Sequence, residues 1–181
     1  MGDFQTWLES ALAGVEPLHW AMRNTPAWPV VESIHFIGLT LLFGSIAAWD
    51  LRLLGLARRV PIVAFHRLVP VAVAGFAINA ITGFMFLTGF PDQYVYNRAF
   101  HLKLLFLAVA GLNVLLFYVT TFRRLEAGAD PDRDPVSARV AGAVSLACWT
   151  AVIFWGRMIT FYRPSPCRPE EAAAFLLQCL K

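Results

Sequence analysis

Of the 181 residues, 58% are hydrophobic and only 15% charged, a balance that describes a membrane protein and disfavours a soluble core. The formal net charge of +3 would suit a nucleic-acid partner, but the basic residues cluster at the ends of apolar runs, where membrane topology alone accounts for them. The expected fold class is all-α: an integral membrane four-helix bundle with an N-terminal interfacial amphipathic helix and a short C-terminal helix, in contact with the lipid bilayer.

Residues 1–29 form the N-terminal interfacial segment. Residues 2–14 lack the basic start and continuous apolar run of a cleavable signal. Instead Trp7, Leu8, Leu12 and Val15 recur at helical spacing, which predicts an amphipathic helix in the membrane interface. Residues 16–29 carry three prolines together with Trp20 and Trp28, as expected of a stretch at headgroup level. His19 reads there as an interfacial histidine.

The bundle is expected over residues 30–161, with spans at about 30–48, 68–87, 104–122 and 140–160. A spanning helix needs about 20 mostly apolar residues, because each advances it about 1.5 Å through a hydrocarbon core about 30 Å thick. The first span, VVESIHFIGLTLLFGSIAA, meets that requirement yet contains Glu32 and His35. An ionisable group within a span costs on the order of 3 kcal/mol unless it has a partner, a cavity or a ligand. These two are three residues apart and share a helical face.

The span continues into WDLRLLGLARR, where Asp50 and Arg52 are a candidate pair. Pro61 restarts a short helix and Pro70 marks the entrance to the second span. His66 lies near that boundary with a solvated or structural role. Gly75, Asn79, Thr82 and Gly83 in the second span allow close packing, or close approach of a flat cofactor. The third span opens with His101 and Lys103, and residues 128–135 form a polar loop. The fourth ends in WGRMITFYRP with Arg157 about one turn from the boundary.

Arg52, Arg58, Arg59 and Arg67 lie in the first loop, and Arg123, Arg124, Arg133 and Arg139 in the third. The excess of Lys and Arg marks those loops as cytoplasmic, so both termini are expected in the periplasm. Residues 162–181 form a periplasmic tail. Cys148 is read as a small apolar residue within a span. Cys167 and Cys179 fall on the oxidising side, and a bridge between them stays open: an unbroken helix from Pro169 would hold them about 18 Å apart.

From the span midpoints, Glu32, Lys103 and Arg157 lie about 11 to 13 Å outward of the membrane centre, His35 about 7 Å and His101 about 16 Å. One reading is a partnered electrostatic cluster, with Glu32 offsetting Arg157 or Lys103. The sharper one is a haem b site in which neutral His35 ligates iron, His101 or Lys103 approaches the opposite side, and Arg157 neutralises a propionate. His35 and His101 are thus the candidate metal ligands. Coaxial ligation by both requires tilt or a shifted helix end, and a five-coordinate haem on His35 alone would avoid the difference in depth. CxxCH, glycine-rich phosphate loop, HExxH and CxxC motifs are absent, and a copper route has only Met85 and Met158 near the outer side.

The sequences IHFIGLTLLFG, LRLLGLARR and FHLKLLFL together resemble the HemJ-type and CopD-type group of small bacterial helical membrane proteins. The likeness covers roughly residues 29–117. It is closest to a branch sharing LRLLGL, TGF and the pattern of NRAFHLKLLFLAVAGLN. In HemJ-type proteins a first-span histidine and a third-span lysine accompany haem b and protoporphyrinogen oxidation; by motif they map onto His35 and Lys103. CopD-type relatives are linked to copper uptake. The chain departs from the HemJ-type pattern in its long N-terminal segment and Cys-containing tail.

The resulting expectation is a bacterial inner-membrane protein that binds haem b and passes electrons between membrane carriers and a periplasmic redox partner. A protoporphyrinogen-oxidase-like enzyme and a non-catalytic subunit of a larger membrane complex are the alternatives. No nucleic-acid partner is expected.

Overall fold

The computed structural model describes residues 2–57, 59–122 and 136–162, all helix, turn or short connection. The tail cysteines Cys167 and Cys179, the expected C-terminal helix, and Arg58, Arg123, Arg124 and Arg133 lie outside the described residues. Helix α1 covers Gly2–Ala13, α2 Glu16–Asn24, α3 Ala27–Leu53 and α4 Ile62–Phe65. After a 3₁₀ turn at His66–Leu68 come α5, Val69–Gly89, the short α6, Pro91–Val95, and α7, Arg98–Leu116. A π turn follows α7 at Phe117–Phe122, and α8 spans Val136–Met158.

Four of these helices, α3, α5 with its preceding turn, α7 with the start of its π turn, and α8, are long and apolar enough to cross a membrane. Their apolar residues mostly point outward. Ile37, Val73, Ile81, Leu105 and Leu115 each leave more than half of their surface uncovered. Small and polar residues, Gly38, Gly75, Thr82, Gly142 and Ser145, are prominent among the buried ones. In water this arrangement would forfeit the burial energy of every outward residue; in hydrocarbon, small residues are what allow helices to pack.

Close packing is built on glycines. A Cβ on Gly75 would lie 2.6 Å from the backbone nitrogen of Leu42 and 2.7 Å from the Gly38 carbonyl, so α3 and α5 cross backbone to backbone. A Cβ on Gly142 would lie 3.1 Å from the Asp50 carbonyl, which brings α8 against the end of α3. Helix α3 also turns out of the bundle at a glycine, Gly55, with φ of 104°, a conformation that strains any L side chain.

Around the bundle, α3 packs on α5 and on α8, and α7 packs on α8. Helices α5 and α7 share almost no contact, leaving an open seam between them. One end of the bundle is capped by α1, α2 and α6. There Gly89 of α5 seats Met22 of α2, Arg23 pairs with Asp92 at 3.0 Å, and the Tyr96 hydroxyl donates to Glu9 at 2.9 Å. The other end carries Arg52, Arg59, Arg67 and Arg139.

The structure departs from the expected boundaries in physically specific ways. The stretch after α1, expected as a turn-rich interfacial segment, is largely the helix α2, because Pro17 falls in the first turn, where a missing N–H costs nothing. Helix α7 starts six residues before the hydropathy boundary, because Asn97 caps it: its side-chain oxygen accepts from the amides of Ala99 at 2.9 Å and Phe100 at 3.4 Å. Asp50 and Arg52 are both buried. Arg52 Nε donates to the Val60 carbonyl at 2.8 Å, and Asp50 Oδ2 has no hydrogen-bond partner among the described residues.

Candidate functional site

His35 is half-buried on α3, facing α5. Its Nδ1 lies 2.7 Å from Thr82 Oγ1. The Thr82 hydroxyl lies 2.6 Å from the Ile78 carbonyl one turn back, the usual engagement of a threonine within a helix. A hydroxyl has one proton. With that proton given to Ile78, its oxygen accepts from His35 Nδ1–H, and neutral His35 carries its lone pair on Nε2. No group among the described residues bonds to Nε2. The Phe86 ring meets the imidazole edge-on at 5.6 Å and is backed by Trp28 at 4.7 Å.

Lys103, on the second turn of α7, is half-buried. Its stem runs along α8, where a Cβ on Gly156 would lie 3.7 Å from Nζ and 3.8 Å from Cε. His35 and Thr82 thus meet between α3 and α5, while Lys103 lies between α7 and α8.

The other sequence candidates lie elsewhere. His101 precedes Lys103 by two residues, about 200° around the helix, and is exposed, with Nε2 3.0 Å from the Val95 carbonyl of α6. The expected approach of His101 to the face opposite His35 is not what the structure brings together, because one helix cannot present both residues inward. Arg157 is exposed at the capped end of α8. Glu32 is half-buried and forms no ion pair with Lys103 or Arg157 among the described residues. His19 is half-buried on α2. His66 stacks on Phe122 at 5.0 Å and meets Trp49 edge-on at 5.9 Å, a packing role.

Among the described residues no group of three or more His, Cys, Asp or Glu side chains is arranged to hold a metal ion, and Met85 packs beside Met22, Val31 and Phe86. The donor set does fit a haem iron at one position: an imidazole whose far nitrogen is bare and whose near nitrogen is oriented by a hydrogen bond. In the sequence Thr82 reads only as a small residue on a packing face. Its three-residue spacing from Asn79, and seven from Gly75, was the available signal that it faces α3.

No family model, no curated relative and no solved structure matches this chain. The fold defines its class: the described residues are helical throughout their regular elements and include four helices long and apolar enough to cross a membrane.

Proposed function

We propose that this is a multi-pass protein of a bacterial inner membrane, both termini periplasmic, that holds haem b through His35 and passes electrons between membrane carriers and a periplasmic partner. The observation that carries the reading is the Thr82-oriented imidazole with its free Nε2. Haem, when bound, supplies one-electron chemistry at iron. The protein's contribution is the Nε2 donor and the hydrogen bond that fixes its ring, with Lys103 a further candidate on α7. Arg157, exposed at the capped end, suits a propionate at the membrane boundary. Clustering of Arg52, Arg59, Arg67 and Arg139 at the opposite end supports the orientation.

The test is a reduced-minus-oxidised spectrum of the purified full chain. Bands of b-type haem are expected, lost in His35→Ala and kept in His66→Ala; a wild-type spectrum without them refutes the reading. Porphyrin oxidation by the haem-loaded chain would assign it to the protoporphyrinogen-oxidase-like alternative. A second reading, a non-catalytic subunit of a membrane complex, is favoured by one observation: the His35–Thr82 bond also ties α3 to α5. On that reading the bands are absent and His35→Ala lowers stability instead.

A further inference from the structure

The capped end of the bundle carries the Trp and Tyr rings that are exposed among the described residues: Trp7 on α1, Trp20 on α2 and Tyr162 just beyond α8. Each leaves more than half of its surface uncovered, as do Phe4 and Phe161 at the same end. Exposed aromatic side chains gathered at one end of a set of membrane-length helices are the pattern of a headgroup boundary, where a ring meets water on one side and hydrocarbon on the other. The rings of Phe4 and Trp7 stack on each other at 6.0 Å, yet in water both would forgo the burial that folding gives other apolar side chains.

Helix α1 divides its surface into three stripes. Gln5, Leu8, Glu9 and Leu12 are half-buried and turn to the bundle: Gln5 Nε2 donates to the Val95 carbonyl at 3.5 Å, and Glu9 accepts from the Tyr96 hydroxyl at 2.9 Å. Phe4, Trp7 and Ala11, spaced three and four apart, are exposed and apolar, whereas Asp3, Thr6 and Ser10, with the same spacing, are exposed and polar. Residues so spaced share one side of a helix, so the two exposed stripes run next to each other. A helix facing a single solvent needs one kind of outward residue; two kinds point to two solvents. The height of α1 is fixed by what it bonds to. Val95 and Tyr96 lie between Gly89, where one membrane-length helix ends, and Arg98, where the next begins, which is the level at which the spans would leave hydrocarbon.

We propose that α1 rests in the headgroup region of the bilayer beside the bundle, with Phe4, Trp7 and Ala11 turned to the acyl chains and Asp3, Thr6 and Ser10 turned to water. Lipid then covers the face that the protein leaves open. The surface it fits is zwitterionic, because α1 and α2 set Asp3, Glu9 and Glu16 against Arg23 alone, and anionic headgroups recruit helices through lysine and arginine. The proposal rests on the membrane-spanning part of the function proposed above and is independent of haem.

Adjacent residues supply the test. In the full chain with its three cysteines replaced by serine, a nitroxide is attached at Ala11→Cys, at Ser10→Cys or, as a reference within α5, at Ile81→Cys, all exposed positions. In phosphatidylcholine vesicles, collision of each label with oxygen, which concentrates in hydrocarbon, is compared with collision with a water-soluble nickel chelate. The Ala11→Cys label is expected to favour oxygen, at a depth of about 5 to 10 Å, and the Ser10→Cys label to favour the chelate. Phe4→Ser with Trp7→Ser shifts the Ala11→Cys label towards the chelate, and added phosphatidylglycerol shifts neither. Labels that both favour the chelate on α1, while Ile81→Cys favours oxygen, overturn the proposal and leave the membrane reading intact. So does an Ala11→Cys label that neither reagent reaches, the result expected of a protein partner or a second copy on that face. An Ile81→Cys label open to the chelate removes the membrane reading, and the proposal with it.

Discussion

Thr82 has one hydroxyl proton, and where it goes fixes the chemistry of His35. Because the proton is engaged by Ile78, the threonine orients the imidazole as an acceptor and leaves Nε2 bare. Replacing Thr82 with valine keeps the shape and removes that acceptor. The ring then loses its orientation, and haem retention is expected to fall about 10- to 100-fold, as for other residues that orient a metal ligand. Thr82→Ser restores it. Titration of the apoprotein with haemin, followed at the Soret band, measures the difference; equal affinity in Thr82→Val would separate the threonine from the site. His35 was legible in the sequence because a lone imidazole among apolar residues is conspicuous. Thr82 was not, since a threonine in a spanning helix satisfies its own hydroxyl and needs no explanation until a neighbour is seen within 2.7 Å.

Helix α3 is held to α5 by the absence of side chains as much as by their presence. Gly75→Ala would drive its Cβ into the backbone of α3, at 2.6 Å from Leu42 N and 2.7 Å from Gly38 O, and backbone cannot rotate aside. The helices must separate, and a destabilisation of about 1 to 3 kcal/mol is expected. Gly83→Ala, whose Cβ meets nothing within 4 Å, should leave stability nearly unchanged. Denaturation in mixed micelles, followed by circular dichroism, distinguishes the two. Boundaries at this scale were legible in part. The apolar runs located all four long helices, but hydropathy misplaced the start of α7. Asn97 is polar and fully buried: it caps α7 through its oxygen and donates from Nδ2 to the Ile159 carbonyl at the end of α8, at 2.9 Å. Arg98, His101 and Lys103 follow the cap, and hydropathy alone therefore starts the span only after them.

Across the whole molecule, the basic end and the capped end should face opposite sides of the membrane. With Cys148, Cys167 and Cys179 replaced by serine, a single cysteine at Glu16 is expected to react with a membrane-impermeant maleimide on intact cells. One at Arg139 should react only after the membrane is opened. The reverse pattern would invert the proposed topology. Both positions are exposed, so access depends on the side of the membrane they occupy.

By itself the sequence determined the class and the number of long helices, because crossing hydrocarbon demands long unbroken apolar runs that any reader of the chain can count. It also exposed His35 and Lys103, since charge-bearing groups in such runs are costly. Only the tertiary structure decided which partners they meet. A helical position two residues away turns His101 outward while Lys103 turns inward against Gly156 of another helix. The open seam was likewise out of reach, because a missing contact between two helices belongs to their packing and to no residue of either.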